Sequence, residues 1–450
     1  MRKRIAFITR SVFIFLLLLN GRSYAQVSIT GQLRSRTELR DGYGTILPKT
    51  ATSAIFTSQR TRLGVSYNMY RLKFNVTLQD VRVWGQDAST INATTVANNN
   101  GLQLHEAWAE ILLTDTTIKN KTLSLKLGRQ EIIYDDQRLM GNADFLQQAR
   151  TFDASILKFE TKDYLLHLGI AYNQNQQNLS GTIYNPVPAG NYAANTNGAA
   201  MYKSFEYLYA NKKLSKGNLS FIFFTDQFSK YHNDTANNIV SKIYQVGTWA
   251  RATTGLYFNN TFNKIAVIAS AYYQFGKNST GQDLNAELLS ASAQYSFNKK
   301  ISAGPGVDYY SGGTSGNTVK AFDPLYGTPH KFAGLMDYYY AASGFGKGGL
   351  IDYYIKAKFK PSDKYLITAD LHSFNSAASV SGFSSKNLGQ EADITATYNL
   401  TKQVSFEAAY CHYFSASLLT STAVKNVANA KAGGNWAYIT INIRPEFFLK

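Results

Sequence analysis

The sequence predicts an all-β fold, a transmembrane antiparallel β-barrel of about 18 strands with short periplasmic turns and long extracellular loops. Three observations support this. Stretches of roughly ten residues carry an apolar side chain at every second position, as a strand between lipid and water requires. Short links that favour turns alternate with long polar ones. Aromatic residues make up 14% of the chain, yet no apolar run after Leu19 approaches the ~20 residues that a membrane-spanning helix needs.

The N-terminus has the pattern of a secretory signal peptide. Basic residues lie within the first ten positions, residues 12–19 are continuously apolar, and Ser23-Tyr24-Ala25 supplies small residues for cleavage. We therefore expect two segments, a signal peptide at 1–25 and a single outer-membrane barrel at 26–450. Removal of the five basic residues of the first segment lowers the formal charge from +17 to +12.

The alternation is clearest near the C-terminus. Residues 365–371, 392–398, 404–410 and 437–443 each place apolar or aromatic side chains at every second position, with mostly polar or small residues between them. The last of these is expected to be the final strand. Because Pro445 cannot donate a ladder hydrogen bond, we expect that strand to end near Arg444.

The links give the strand count. Eight short links and about nine long ones imply eighteen strands, an even number that leaves both termini in the periplasm. The short links lie near 68–69, 115–120, 161–163, 212–217, 259–263, 298–300, 361–363 and 399–402, and notable long ones are 41–53, 85–101, 131–149, 173–200, 311–348 and 415–433.

Water-facing positions of the first two strands are rich in arginine. Arg34 and Arg36 share one face of the first strand, and Arg60 and Arg62 share the corresponding face of the second. Rings of Arg and Lys inside a pore favour anions. The sequence therefore predicts an anion-selective channel for an anionic solute.

Two simpler interpretations of these charges stay open beside this one. Acidic residues, among them Glu106, Glu110 and Asp153, are also expected to face inward, where paired charges can simply fill a polar lumen; the result would be a weakly selective general porin. The basic surface can also bind the phosphates of outer-membrane lipids, including lipopolysaccharide.

Two stretches share the pattern of one family of outer-membrane porins. The first is Leu127-Gly128-Arg129-Gln130-Glu131, then Tyr134, Arg138-Leu139-Met140-Gly141 and Ala149-Arg150-Thr151-Phe152-Asp153-Ala154; the second is Phe322-Asp323-Pro324-Leu325-Tyr326-Gly327, then His330, Gly334 and Asp337. In both, the chain resembles the alginate export family.

This resemblance implies an eighteen-stranded barrel with a basic lumen that passes a polyanionic uronate polysaccharide outward. Arg129 and Arg150 match family arginines, and Asp153 matches the acidic residue beside them. Both arginines are expected near one mouth, either binding carboxylates or forming a salt-bridge network with Asp153. Arg138 is expected to fold into the lumen as part of a constriction. A gated export pore would also need a periplasmic partner, for which this chain offers no domain.

The sequence offers little for catalysis, a metal or a cofactor. Its six histidines lack metal-ligand spacing, and the single cysteine, Cys411, excludes a disulfide framework. Gly344, Gly346 and Gly349 match a dinucleotide fingerprint formally, but no βαβ unit surrounds them. We expect no enzyme, no cofactor and no nucleic-acid partner. An adhesive barrel whose long loops bind a partner outside the cell remains an alternative, which conductance would separate from a porin.

Overall fold

The computed structural model describes residues 26–85, 101–115, 117–173, 201–236, 239–339 and 347–449. The expected signal peptide, residues 1–25, lies outside this range, as do Gly344, Gly346 and most of the link at 173–200.

Almost all regular structure is β-strand. Two short turns of helix, Pro329–Lys331 and Ser417–Thr420, lie in long loops. None of the helices in the described ranges has the length and apolar character needed to cross a membrane. The strands are β1 (Gln26–Asp41), β2 (Ala54–Met69), β3 (Leu72–Val83), β4 (Gln103–Leu112), β5 (Lys121–Gln130), β6 (Phe152–Thr161), β7 (Tyr164–Tyr172), β8 (Ser204–Leu214), β9 (Gly217–Ala236), β10 (Ile239–Phe262), β11 (Ile265–Lys277), β12 (Asp283–Ser296), β13 (Ile301–Tyr310), β14 (Thr314–Ser315), β15 (Thr318–Val319), β16 (Leu350–Ser362), β17 (Tyr365–Asn375), β18 (Asn387–Asn399), β19 (Val404–Ser415), β20 (Gly433–Ile443) and β21 (Glu446–Leu449).

Within the described residues, β1–β13 and β16–β20 form a closed antiparallel barrel of 18 strands, as the sequence predicts. Closure occurs where β1 pairs with β20, so that Arg34 lies opposite Asn442 on one side and Arg60 on the other. A closed barrel leaves no strand edge with unpaired backbone groups in lipid. All eight predicted short links lie at turns between consecutive strands, which confirms the predicted topology.

The two faces of each strand differ in burial. Leu33 and Leu63 point outward and are 39% and 52% exposed, whereas Arg34 and Arg60, on the opposite face of the same strands, are 7% and 1% exposed. Strands whose inner face is this well buried need something to fill the lumen. The long loops provide it, as described below.

Two features differ from expectation. The chain does not leave the sheet at Pro445, because β21 continues the pairing with β1 after the proline, from Glu446 opposite Thr30 to Leu449 opposite Val27. In addition, β9 and β10 are 20 and 24 residues long rather than about ten. They pair with each other beyond Gln227, the last residue of β9 to pair with β8, and so project as a hairpin.

Candidate functional site

The connection between β5 and β6, residues 131–151, folds into the barrel, and we call it the first inward loop. Its early part reaches the wall formed by β7–β9. The Tyr134 hydroxyl lies 3.0 Å from both His167 Nδ1 and the Tyr207 hydroxyl. Asp135 accepts hydrogen bonds from Tyr209 at 2.8 Å and Ser220 at 2.6 Å. Burial raises the pKa of Asp135 to about 6 despite these donors.

Arg138 fastens the middle of the first inward loop to the wall at β13. Its Nη1 donates to Asp308 Oδ2 at 2.7 Å and to the Tyr310 hydroxyl at 2.9 Å. Its guanidinium also lies 4.0 Å from the centre of the Phe332 ring. Burial opposes the charge, but Asp308 outweighs it and holds the pKa of Arg138 above its ordinary value. Arg138 thus lies inside the barrel, where it pins the first inward loop to the wall.

The far end of the first inward loop, residues 143–149, reaches the arginines of β1 and β2, and we call it the loop tip. Arg34 donates to the backbone carbonyls of Asp144 at 2.7 Å and Leu146 at 2.9 Å. The Asp144 carboxylate lies 2.9 Å from Arg60 Nη1, 3.5 Å from Arg62 Nη1 and 3.6 Å from Arg34 Nη1. Although burial opposes ionisation of Asp144, these arginines hold its pKa below the ordinary value.

A second group of charges lies further along β1. Arg36 donates to the Phe145 carbonyl at 2.9 Å and stacks 4.1 Å from the centre of the Phe145 ring. Glu38 lies between Arg36 and Arg40, at 2.9 and 2.8 Å. The five arginines of β1 and β2 named here therefore pair with two carboxylates, Glu38 and Asp144, which leaves an excess of positive charge on this wall.

The connection between β13 and β16 also folds inward. We call its described part, residues 311–339, the second inward loop. It joins the first edge to edge, because Tyr326 exchanges backbone hydrogen bonds of 2.9 Å with Leu139 and Gly141. Tyr326 is fully buried and packs on Phe152, Phe205 and Phe224 of the wall. The two loops together narrow the lumen.

The second inward loop is fixed at both ends by inward carboxylates. Asp323 Oδ2 lies 2.6 Å from Arg251 Nη1, and the same guanidinium binds Asp226 on β9. At the other end, the Glu391 and Asp393 carboxylates accept hydrogen bonds from the backbone N–H groups of Met336 at 2.7 Å and Leu335 at 3.2 Å.

Arg129 and Asp153 lie elsewhere than the sequence suggests. They form a bidentate salt bridge, at 2.9 and 2.8 Å, and their side chains are 42% and 57% exposed. Because Arg129 shares the outward register with Leu127, which is 40% exposed, the pair lies on the outer face of the barrel and not in the lumen. The expected inward position of Asp153 and lumenal position of Arg129 are therefore wrong.

Arg150 lies on the inner side of the same mouth and does not join that pair through any contact of the described residues. Its Nη1 donates to the Gly327 carbonyl of the second inward loop at 2.7 Å. Burial lowers the pKa of Arg150 to about 10, which still leaves the guanidinium charged at neutral pH. Arg150 therefore holds the two loops together.

The inner wall at β3–β6 is balanced in charge, because Glu106, Glu110 and Glu160 offset Lys73, Lys126 and Lys158. Glu110 accepts from Ser124 at 2.8 Å and from Lys158 at 3.0 Å, and Lys73 lies 3.8 Å from it. Lys126 lies 4.0 Å from the centre of the Trp108 ring. The excess positive charge is thus concentrated at β1 and β2, next to this wall.

Several important residues escape reasoning from the sequence. Asp144, Gln147 and Gln79 bind the arginines or the loop tip, and Arg251 joins Asp226 to Asp323. Their partners are far apart in sequence. A single polar residue in a loop, as Asp144 and Gln147 are, or on the inner face of a strand, as Gln79 and Arg251 are, carries no pattern that identifies its partner. Within the described residues, no three His, Cys, Asp or Glu side chains group closely enough to hold a metal ion.

A model of the protein family described as alginate export matches residues 25–432. The chain belongs to the alginate export family. This confirms the resemblance carried by the two sequence stretches, and both stretches supply the inward loops of the constriction. No individual curated protein matches the chain by sequence.

Solved structures with a similar fold are outer-membrane porins. OccAB3 of Acinetobacter baumannii is 10% identical, with a TM-score of 0.62 over 94% of this chain and 100% of that one. OccK11 (OpdR) of Pseudomonas aeruginosa is 11% identical, with a TM-score of 0.57 over 94% and 96%. OpdK of Pseudomonas aeruginosa, solved with vanillate, is 9% identical, with a TM-score of 0.59 over 94% and 99%.

At such low identities these structures show the fold alone. The fold and the family agree with each other, and both are those of channels that carry solutes across the outer membrane. This alginate export family member is therefore an outer-membrane channel of a Gram-negative bacterium.

Proposed function

We propose that this family member is an anion-selective channel that passes an anionic polysaccharide or a smaller carboxylated solute. One observation carries the proposal: within the described residues, the five arginines at the constriction, on β1 and β2, form direct ion pairs with two carboxylates, Glu38 and Asp144. A surplus of fixed positive charge beside a narrow aqueous path lowers the energy of a passing anion and raises that of a cation.

Arg62 is the arginine best suited to act on a passing solute. Arg34 and Arg60 are 9% and 1% exposed in their side chains and are occupied by the loop tip, whereas Arg62 is 14% exposed. Its Nε donates to Gln79 at 2.7 Å, while its Nη2 has no hydrogen-bond partner among the described residues. Arg62 therefore has a donor that a solute carboxylate could satisfy, although Asp144, Glu131 and Glu106 also act on its charge.

Carboxylate is the chemistry we propose for the solute. Alginate, which gives the family its description, is a chain of carboxylated sugars, and the vanillate solved with OpdK is a carboxylate as well. Guanidinium groups pair with carboxylates in a planar, bidentate geometry that a chloride ion cannot adopt.

A weakly selective porin is the second candidate, and the balanced charges at β3–β6 favour it. There Lys73, Lys126 and Lys158 are offset by Glu106, Glu110 and Glu160, so that wall adds little net preference. If this wall dominates the path, small anions and cations will pass almost equally.

Recording in a planar bilayer under a KCl gradient tests the proposal. We expect the reversal potential to lie toward that of chloride, and we expect added oligogalacturonate to reduce the single-channel current. A reversal potential on the potassium side would refute anion selectivity, and a value near zero would favour the weakly selective porin. An absence of conductance would favour the adhesive alternative.

A further inference from the structure

The loop tip presents its own oxygen atoms to the arginines. Arg34 and Arg36 bind the backbone carbonyls of residues 144–146 at 2.7–2.9 Å, and Arg60 binds the Asp144 carboxylate at 2.9 Å. These acceptors, carbonyl and carboxylate oxygens spaced along a chain, are the kind that a polyanionic sugar also offers.

The remainder of the first inward loop is held by contacts that do not involve these arginines. Tyr134 and Asp135 bind the wall at β7–β9, Arg138 binds β13, and Leu139 and Gly141 pair with the second inward loop. A ligand that competes for the arginines would therefore release the tip and leave the base of the loop in place.

The tip has other contacts as well. Gln147 donates to Ser58 Oγ at 2.9 Å, Gln79 donates to the carbonyl of Gln148 at 3.0 Å, and the Ala143 N–H donates to Thr328 Oγ1 at 3.1 Å. The Phe145 ring stacks on His330 with centroids 3.5 Å apart and packs edge-on against Trp436 and Tyr438. Each of these neutral hydrogen bonds contributes only about 1 kcal/mol net, so the charge-assisted bonds to arginine are the strongest polar contacts of the tip.

The backbone is strained at both ends of the tip. Ala143 and Ala149 have φ angles of 47° and 56°, in the left-handed region that an L-residue with a Cβ adopts at a cost of about 1 kcal/mol. Detachment of the tip would relieve this strain. It would also free a position for an acceptor at Arg62 Nη2, which has no partner among the described residues while the tip is docked.

We infer that the loop tip is a latch that the transported polyanion itself displaces. A solute with several carboxylates replaces the tip oxygens on Arg34, Arg36 and Arg60, the tip swings away about residues 143 and 149, and the constriction widens. A single chloride ion replaces too few of these bonds to do so. This inference rests on the proposed function, because it assumes that a polyanion reaches the arginines.

Cysteine accessibility tests the latch directly. Gln147 is 5% exposed, so Gln147→Cys, made in a Cys411→Ala background, places a thiol beneath the docked tip. We expect trigalacturonate to raise its rate of reaction with N-ethylmaleimide about tenfold, within the usual range of coupling between two sites. Maltotriose, a neutral sugar of similar size, should leave the rate unchanged.

An unchanged or slower rate with trigalacturonate, in a preparation whose reversal potential is anion-biased, would overturn the latch and leave the proposed function standing. A cation-biased reversal potential would instead overturn the proposed function. Should Gln147→Cys fail to fold, a spin label on Leu146→Cys, whose parent side chain is 46% exposed, reports the same event. We expect its mobility to rise with trigalacturonate, and unchanged mobility would count against the latch.

A cross-link adds an independent measurement. Ser58 Oγ and Gln147 Nε2 are 2.9 Å apart, so a short bis-methanethiosulfonate reagent, which replaces the length of the glutamine side chain, should join Ser58→Cys to Gln147→Cys and tie the tip to β2. We expect the cross-linked channel to lose passage of trigalacturonate and to regain it when a reductant cleaves the cross-link. Equal passage in the cross-linked and reduced states would contradict the inference.

Discussion

Replacement of Arg62 by Gln should reduce anion preference without undoing the constriction. Arg62, like Arg40, holds no backbone carbonyl of the loop tip through any contact in the described part of the chain. It contacts Asp144 at 3.5 Å, and glutamine retains a side-chain amide to meet Gln79. The substitution therefore removes one positive charge and little structure.

The expected size follows from Coulomb's law. A unit charge about 10 Å from a permeating ion contributes roughly 0.4 kcal/mol at a dielectric constant of 80 and roughly 1.7 kcal/mol at 20. Because this energy favours chloride and disfavours potassium by the same amount, the ratio of chloride to potassium permeability should fall by a factor between about four and about 300. Salt screens such effects within about 10 Å at 0.1 M, so the shift should grow as the recording solutions are diluted.

The chain supplies a matched control. Arg129→Gln makes the same chemical change on the outer face of the barrel, where the partner is Asp153 at 2.8 Å. We expect its reversal potential in a KCl gradient to equal that of the wild type. Equal shifts in the two variants, or a shift for Arg129→Gln alone, would refute the assignment of the two faces and the role given to Arg62.

Three further predictions concern the inward loops. Burial raises the pKa of Asp135 to about 6, so the protonated carboxyl favours the folded state and the folded state loses stability as pH rises from about 4 to 6. Asp135→Asn should therefore recover up to about 3 kcal/mol of unfolding free energy at pH 7.5 and little at pH 4, measured as thermal midpoints by circular dichroism. Arg138→Met leaves the buried Asp308 carboxylate without its ion-pair partner and should lower the free energy of unfolding by about 3–5 kcal/mol. Arg82→Met, at a more exposed pair with Asp80, should lower it by less than about 1 kcal/mol. Equal thermal midpoints for the two variants would contradict the role of Arg138 in fastening the first inward loop. Gly334→Ala, with a φ of 80° and a Cβ that would lie 2.5 Å from Glu391 Oε2, should displace the second inward loop and change single-channel conductance, while Gly316→Ala, with a φ of 58° and open space around it, should not.

Much of the fold follows from local patterns in the sequence. Alternation and turn residues are properties of neighbouring positions, which is why all eight short links and the number of strands are predictable. The length of β9 and β10 is not predictable, because their outer parts show no simple alternation of apolar and polar residues and are extended by pairing with each other. The pairing of β21 with β1 is missed because a proline removes only one donor, and the strand resumes after it.

The candidate site is predictable only in part. Leu123, Leu125 and Leu127 alternate toward lipid and carry Arg129 with them, so the sequence did contain the information that Arg129 faces outward; the charge of the residue obscured it. The arginines of β1 and β2 are placed on the inner face by the same rule. Their engagement with Asp144, however, depends on a loop that returns across the barrel, and no local pattern specifies such a contact.

The most direct test of the central claim compares two trisaccharides of similar size. Proteoliposomes that contain the wild-type channel are exposed to trigalacturonate and to maltotriose, and entry of each is followed over time. If the arginines of the constriction select the solute, trigalacturonate enters faster, and the advantage shrinks in Arg62→Gln but not in Arg129→Gln. Equal entry of the two sugars, or faster entry of maltotriose, would contradict selection by charge.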